Sequence, residues 1–249
     1  VDGPVAGDII FEHRDFAGLH FTGSTGVFRS LWQTIGKNVA KYRSYPRVVG
    51  ETGGKDFIVA HPSANADEVA IALARGAFEF QGQKCSAASR AYIPQSMWEQ
   101  VKTRLLAVVN DFKMGNPEDF TNFINAVIDE RAFDKISNYL AVARDDKDGE
   151  IIAGGGYDKS KGYFIEPTVI VTEDPHYRTM VEEIFGPVLT IYVYADADYT
   201  QTLEVVDGTS PYALTGAIFS KDRAAVVLAL EKLRHAAGNF YLNDKPTGA

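Results

Sequence analysis

The chain holds one cysteine, Cys85, in the run Gln81-Gly82-Gln83-Lys84-Cys85-Ser86. Small and polar neighbours predict a turn at the end of a helix. A lone cysteine is either a small buried hydrophobe or a nucleophile. A core position should have apolar flanks at helical or strand spacing, whereas Gln83, Lys84, Ser86 and Ser89 are polar. Lys84 and nearby backbone amides would favour the thiolate. Upstream by 34 residues, Glu51 opens the run Glu51-Thr52-Gly53-Gly54-Lys55, a carboxylate leading into a flexible double-glycine turn. It is either a surface carboxylate at a strand end or a base that swings toward a substrate and activates water. A thiolate with such a base suits acyl chemistry: attack on a carbonyl, then hydrolysis of a thioester. No histidine lies near Cys85 in sequence, which weakens a cysteine-protease reading.

Two further runs carry polar groups at element ends. Phe21-Thr22-Gly23-Ser24-Thr25-Gly26 closes an expected strand and opens an expected helix. Free amides at a helix N-terminus bind anions, while the simpler role for Ser24 is to cap that helix. The run is neither a Walker pattern nor GxGxxG. Glu182-Glu183-Ile184-Phe185-Gly186-Pro187-Val188 places acids and an aromatic ahead of a Gly-Pro break. It reads as a helix end and turn, or as a site where Glu183 meets the hydroxyls of a ribose.

Elements that must position these runs follow from periodicity. Strands are expected at 18–22, 47–50, 57–60, 90–93, 151–153, 168–171, 189–193, 216–219 and 239–242. Helices are expected at 25–42, 67–80, 96–112, 129–144, 198–207 and 222–235, where apolar residues recur at three- and four-residue spacing. Such alternation is the signature of an α/β protein. The stretch 157–167, rich in Gly and Lys, predicts an exposed turn. A boundary falls near Gly53-Gly54, giving domains of 1–52 and 53–249.

Composition excludes several classes. A net charge of −8, with Lys and Arg dispersed, argues against nucleic-acid binding. No stretch approaches the roughly 20 apolar residues of a membrane span, and no signal peptide is evident. One cysteine rules out an internal disulfide framework, which favours a reducing compartment. The five histidines have no ligand spacing, so no metal site is expected. Val1 is not an initiator Met, and the chain stops just after an expected strand, so it reads as a piece of a longer protein.

The runs FTGST, ETGGK, GQKCS and EEIFGPV, in this order, resemble the aldehyde dehydrogenase superfamily, with Thr52 standing where that family usually has Leu. The resemblance covers essentially the whole chain. It implies an open, mostly parallel sheet flanked by helices, forming the catalytic domain, preceded by the tail end of a Rossmann-like NAD-binding domain. It further implies that Cys85 attacks an aldehyde to give a thiohemiacetal and then a thioester, NAD⁺ being the oxidant, and that Glu51 activates the hydrolytic water. Ser24 and Gly53 would lie against the cofactor, Ser24 at the pyrophosphate. Glu183 would bind the nicotinamide ribose, and Phe185 would pack beside that ring.

Residues 80–90, 125–129 and 236–245 resemble more narrowly the branch acting on L-glutamate γ-semialdehyde (1-pyrroline-5-carboxylate) in proline catabolism. In that branch Ser86 and the loop at Gly248 hold the substrate's α-carboxylate, which suits hydroxyl and backbone N–H donors. Ala249 stands where some members have Ser, so a hydroxyl contact there is lost. The resemblance also implies a cytoplasmic protein, or one of the mitochondrial matrix in a eukaryote, that is a homo-oligomer when full length. The family's oxyanion-hole asparagine and half its cofactor site would precede Val1, so the isolated chain is expected to be inactive. Rival readings are an aldehyde dehydrogenase for another aldehyde and a non-catalytic scaffold.

Overall fold

The computed structural model describes residues 3–247. It divides into two compact units, Val1–Gly53 and Gly54–Ala249. In the first unit, α1 (Gly3–Glu12) leads to β1 (Gly18–Gly23), α2 (Thr25–Asn38) and β2 (Arg47–Thr52). β1 and β2 pair in parallel from Gly18↔Arg47 to Gly23↔Thr52. Phe11, Phe16 and Ile35 form a small core beneath them. The Asn38 amide and the Tyr42 hydroxyl both donate to the Phe11 carbonyl, at 3.0 and 2.7 Å, tying α1 to the end of α2 and the segment after it.

Periodicity did not predict α1. Gly3, Pro4 and Gly7 are poor helix formers, and Ile9 and Ile10 are exposed, so no apolar stripe marks the helix. β2 also runs two residues beyond its expected end, because Thr22 and Gly23 of β1 continue the ladder opposite Glu51 and Thr52.

In the second unit β3 (Asp56–Ala60), α3 (Ala66–Phe78), β4 (Ala88–Pro94) and α4 (Gln95–Asp111) come first. They are followed by α5 (Glu130–Asp145), β5 (Gly149–Ala153), β6 (Tyr157–Asp158), β7 (Phe164–Ile165) and β8 (Thr168–Thr172). The remainder is α6 (Arg178–Val181), β9 (Val188–Tyr194), α7 (Tyr199–Thr209), β10 (Thr215–Phe219), α8 (Arg223–Lys232) and β11 (Asn239–Leu242). Seven strands form one sheet in the order β11-β10-β3-β4-β9-β8-β5, parallel throughout except for β5 at the edge.

Every residue of β3 and β10 is buried, as expected of parallel strands covered on both faces. Alternate residues enter opposite layers. Phe57, Val59 and Tyr92 join α5, α7 and α8 on one face, while Ile58, Ala60 and Ile93 join α3 and α4 on the other. Residues 157–167 are not a simple turn: β6 and β7 pair antiparallel, and Asp158 caps their connection by accepting from the Ser160 amide and hydroxyl at 2.8 Å each.

Because β10, β3, β4 and β9 are parallel neighbours, the segments that precede them all meet at the amino edge of the sheet. Those segments contain Leu214, Gly54, Cys85 and Phe185. Open α/β sheets generally bind ligands at the opposite, carboxyl edge.

Candidate active site

Cys85 is exposed on the connection between α3 and β4. α3 ends at Phe78, and the chain reverses through Phe80, Gln81 and Gly82 at φ of 52°, 57° and 64°. Left-handed conformations in the two non-glycine residues cost on the order of 1 kcal/mol or more each, and such strain clusters at functional sites. Gly82 is required by a close approach, since a Cβ there would stand 2.3 Å from the Gly186 carbonyl oxygen. The turn before the cysteine is thereby seated against the segment that carries Glu183 and Phe185.

Lys84 is engaged by a carboxylate on the turn's other side. Its ammonium donates to Glu79 Oε2 at 3.0 Å, and the same carboxylate pairs with Arg75 and lies 3.8 Å from Lys245 Nζ. Burial acts to raise the Glu79 pKa, but hydrogen bonds from Lys84 and Arg75 outweigh it and hold the carboxyl below its ordinary range. Gln83 anchors the turn from the side, its Oε1 accepting from the Ile128 amide at 2.9 Å. Ser86 is buried directly after the cysteine.

Glu183 and Phe185 follow the short helix α6. The Glu183 carboxylate accepts from the Gly54 amide at 3.1 Å, and its carbonyl accepts from Lys135 Nζ at 2.8 Å. Phe185 adopts a positive φ of 60° and is 43% exposed. A cavity of about 20 Å³, the size of one water, is lined by Gly54, Gly82, Lys84, Ser89, Glu183 and Phe185 among others. The structure thus gathers the Cys85 turn and the Glu183 run at one place.

Ser24, Glu51 and Gly53 belong to the other unit. Ser24 is the N-cap of α2, its Oγ accepting from the Val27 amide at 3.3 Å. Glu51 lies exposed within β2 and not on a turn. Gly53 accepts from the Thr25 hydroxyl at 3.4 Å. A Cβ on Gly54 would stand 2.6 Å from the Tyr212 carbonyl, so close packing requires the glycine. Gly248 and Ala249 lie outside the described residues.

Sequence reasoning missed a buried charged group at the same edge. Lys55 and Arg90 are 1% and 0% exposed. Burial, then the Arg90 charge, pulls the Lys55 pKa down to about 7, and its ammonium donates to the Thr179 carbonyl at 2.8 Å. Asp56 is fully buried, and burial pushes its pKa up to about 6 against three hydrogen bonds that oppose the shift. The Arg90 guanidinium donates to the Lys55 and Val206 carbonyls and to Tyr92 Oη, at 2.9, 3.1 and 2.9 Å. Its Nη2 has no acceptor, but the Phe57 and Tyr92 rings stand 5.2 and 5.8 Å from the guanidinium carbon and supply favourable π faces. The available signal was charge entering an apolar run, Lys55-Asp56 before 57–60 and Arg90 before 91–93.

The aldehyde dehydrogenase family model matches residues 1–249, the whole chain. The chain belongs to the aldehyde dehydrogenase family. Among aldehyde dehydrogenase relatives, the mitochondrial delta-1-pyrroline-5-carboxylate dehydrogenase of Dictyostelium discoideum is 54% identical over 249 residues, covering 99% of this chain and 45% of that protein. The human enzyme of the same name is 47% identical, covering 100% of this chain and 44% of its own length. The Mycobacterium tuberculosis delta-pyrroline-5-carboxylate dehydrogenase, solved bound with NAD, superposes with a TM-score of 0.93 at 50% identity, over 100% of this chain and 45% of that one. The chain therefore spans less than half the length of these aldehyde dehydrogenases. Among the described residues no helix is long and apolar enough to cross a membrane.

Proposed function

We propose that this chain carries the nucleophile, the base and part of the cofactor site of an NAD-dependent dehydrogenase that oxidises L-glutamate γ-semialdehyde to glutamate in proline catabolism. The observation that carries the proposal is exposed Cys85 on a braced turn, at the same sheet edge as Glu183 and Phe185. Cys85 Sγ attacks the aldehyde carbon and forms a thiohemiacetal. NAD, when bound, supplies the hydride acceptor. Oxidation leaves a thioester on Sγ, and Glu51 takes a proton from the water that hydrolyses it, releasing a carboxylate and the free thiol.

The residues present fit the cofactor. α2 has 14 residues and no acidic side chain in its first turn, and a Cβ placed on Gly26 would meet nothing within 4 Å. A pyrophosphate could thus approach the positive end of that helix dipole, with Ser24 and Gly53 beside it. Glu183 is half-buried and offers its carboxylate to a ribose hydroxyl, while the open ring of Phe185 offers a face to the nicotinamide. Ser86, with Gly248 and Ala249, is assigned to the substrate carboxylate. Residues 1–52 are then the end of the NAD-binding domain and 53–249 the catalytic domain. Assembly as a homo-oligomer when full length, in the cytoplasm or in the mitochondrion named for the eukaryotic relatives, belongs to the same proposal.

Turnover by the full-length gene product tests it. With NAD⁺, kcat/KM for glutamate semialdehyde should exceed that for propanal by at least ~10-fold, the contribution of one charge-assisted hydrogen bond. Preference for the aliphatic aldehyde would overturn the substrate assignment.

A further inference from the structure

The turn that carries Cys85 is fixed differently at its two ends. Upstream stands the left-handed run at Phe80, Gln81 and Gly82. Downstream, the β3–β4 ladder is irregular: Asp56 pairs with Ala88 and Phe57 with Arg90, so Ser89 is an extra residue with no partner across the ladder. Bulges of this kind re-aim neighbouring side chains and recur beside active sites. The Ser89 hydroxyl lies 3.5 Å from the Asp56 carbonyl, at the limit of a hydrogen bond. A weakened ladder next to an exposed nucleophile needs support from elsewhere.

That support comes from β10, on the other side of β3. The Asp56 carboxylate accepts from the Leu214 amide at 2.8 Å, the Thr215 amide at 3.0 Å and the Thr215 hydroxyl at 2.6 Å. The same Thr215 Oγ1 lies 3.3 Å from the Ser86 carbonyl oxygen, and Thr215 is 5% exposed. One buried hydroxyl is therefore shared in a three-centre arrangement between a carboxylate that fixes it and the carbonyl of Ser86, the residue after the cysteine.

We propose that Thr215, held by Asp56, is a positioning residue that fixes the Ser86 peptide and, through it, the aim of Cys85. The chemical consequence rests on the function assigned to Cys85 above; the geometric one does not. Misplacing a reacting atom by about 1 Å can cost on the order of 10² in rate, and loss of this single contact is expected to cost about a tenth of that, ~10-fold.

The test uses the full-length gene product with Thr215→Val and Thr215→Ser. Two readouts apply: the rate of iodoacetamide alkylation of the Cys85 peptide, followed by mass spectrometry, and kcat with KM for NAD⁺. Thr215→Val is expected to slow alkylation and kcat about 10-fold with KM for NAD⁺ within about twofold, and Thr215→Ser, which keeps the hydroxyl, to restore both. Alkylation of Thr215→Val at the parental rate would overturn the proposal, as would Thr215→Ser behaving like Thr215→Val. Thr215→Ala is read in the same way if the valine variant does not fold. If the parent oxidises no aldehyde, the assigned function fails, while the alkylation contrast still decides the role of Thr215.

Discussion

β2 and β3 follow one another in the chain, separated only by Gly53, Gly54 and Lys55, yet they are opposite kinds of strand. Among the described residues β2 pairs with β1 alone, and none of its six residues is buried. β3 has a partner on each side and is buried along its whole length under two helical layers. Glu51 sits on the first and the frame for Cys85 is built on the second. A strand inside a seven-stranded sheet is among the last elements to open. The Cys85 turn is thus braced by a wholly buried strand, whereas Glu51 lies on a strand with no buried residue.

Truncations to alanine should expose that difference. Ile58→Ala in β3 removes a wholly buried side chain and is expected to cost about 4 kcal/mol, read by urea unfolding of the second unit. The chain's two tryptophans report separately, Trp32 from the first unit and Trp98 from the second, so a Trp32→Phe background isolates the second.

A somewhat smaller effect is expected from Asp56. Its pKa rises from 3.8 to about 6 in the folded protein, so between those values the native state binds more protons than the unfolded state. Stability from this group is therefore lost as pH rises from about 4 to about 6, by about 3 kcal/mol. Lys55 works the other way. Its pKa falls from 10.5 to about 7, so its penalty is relieved as pH rises from about 7 to about 10. The stability difference between parent and Asp56→Asn should vary over the first window, and that between parent and Lys55→Met over the second. Flat differences would remove the buried charges from the contrast between the strands.

The smallest effect belongs to β2. Val49→Ala truncates a side chain already 47% exposed and should change the Trp32-reported unfolding by less than about 1 kcal/mol. A loss as large as that of Ile58→Ala would show that the first unit is as tightly framed as the second.

How far the fold could be read depended on burial in the same way. The strands of the large sheet announced themselves as short β-branched and aromatic runs between helical patterns, and all of those expected are present. Periodicity failed where a segment lacked a one-sided apolar pattern: α1 exposes Ile9 and Ile10, and the hairpin of β6 and β7 is held by Asp158 and Ser160. At the candidate site, Cys85, Glu51, Ser24 and Glu183 stood out in the sequence because unusual residue types fell near element ends; their roles belong to the proposal. Asp56 and Thr215 were not, because their bond joins residues 159 apart in sequence and either one alone looks like an ordinary strand terminus. The close packing that requires Gly54 was not legible either, since the backbone that crowds it comes from Tyr212.

The central claim is that Cys85 carries the acyl group and Glu51 releases it. Peptide mass spectrometry of Glu51→Gln full-length gene product, mixed with NAD⁺ and glutamate semialdehyde, tests it most directly. A general base contributes about 10²- to 10⁴-fold to its step, so a hydroxylamine-labile glutamyl thioester should accumulate on the Cys85 peptide while the parent shows none at steady state. An unmodified Cys85, or a variant that turns over at the parental rate, would contradict the account.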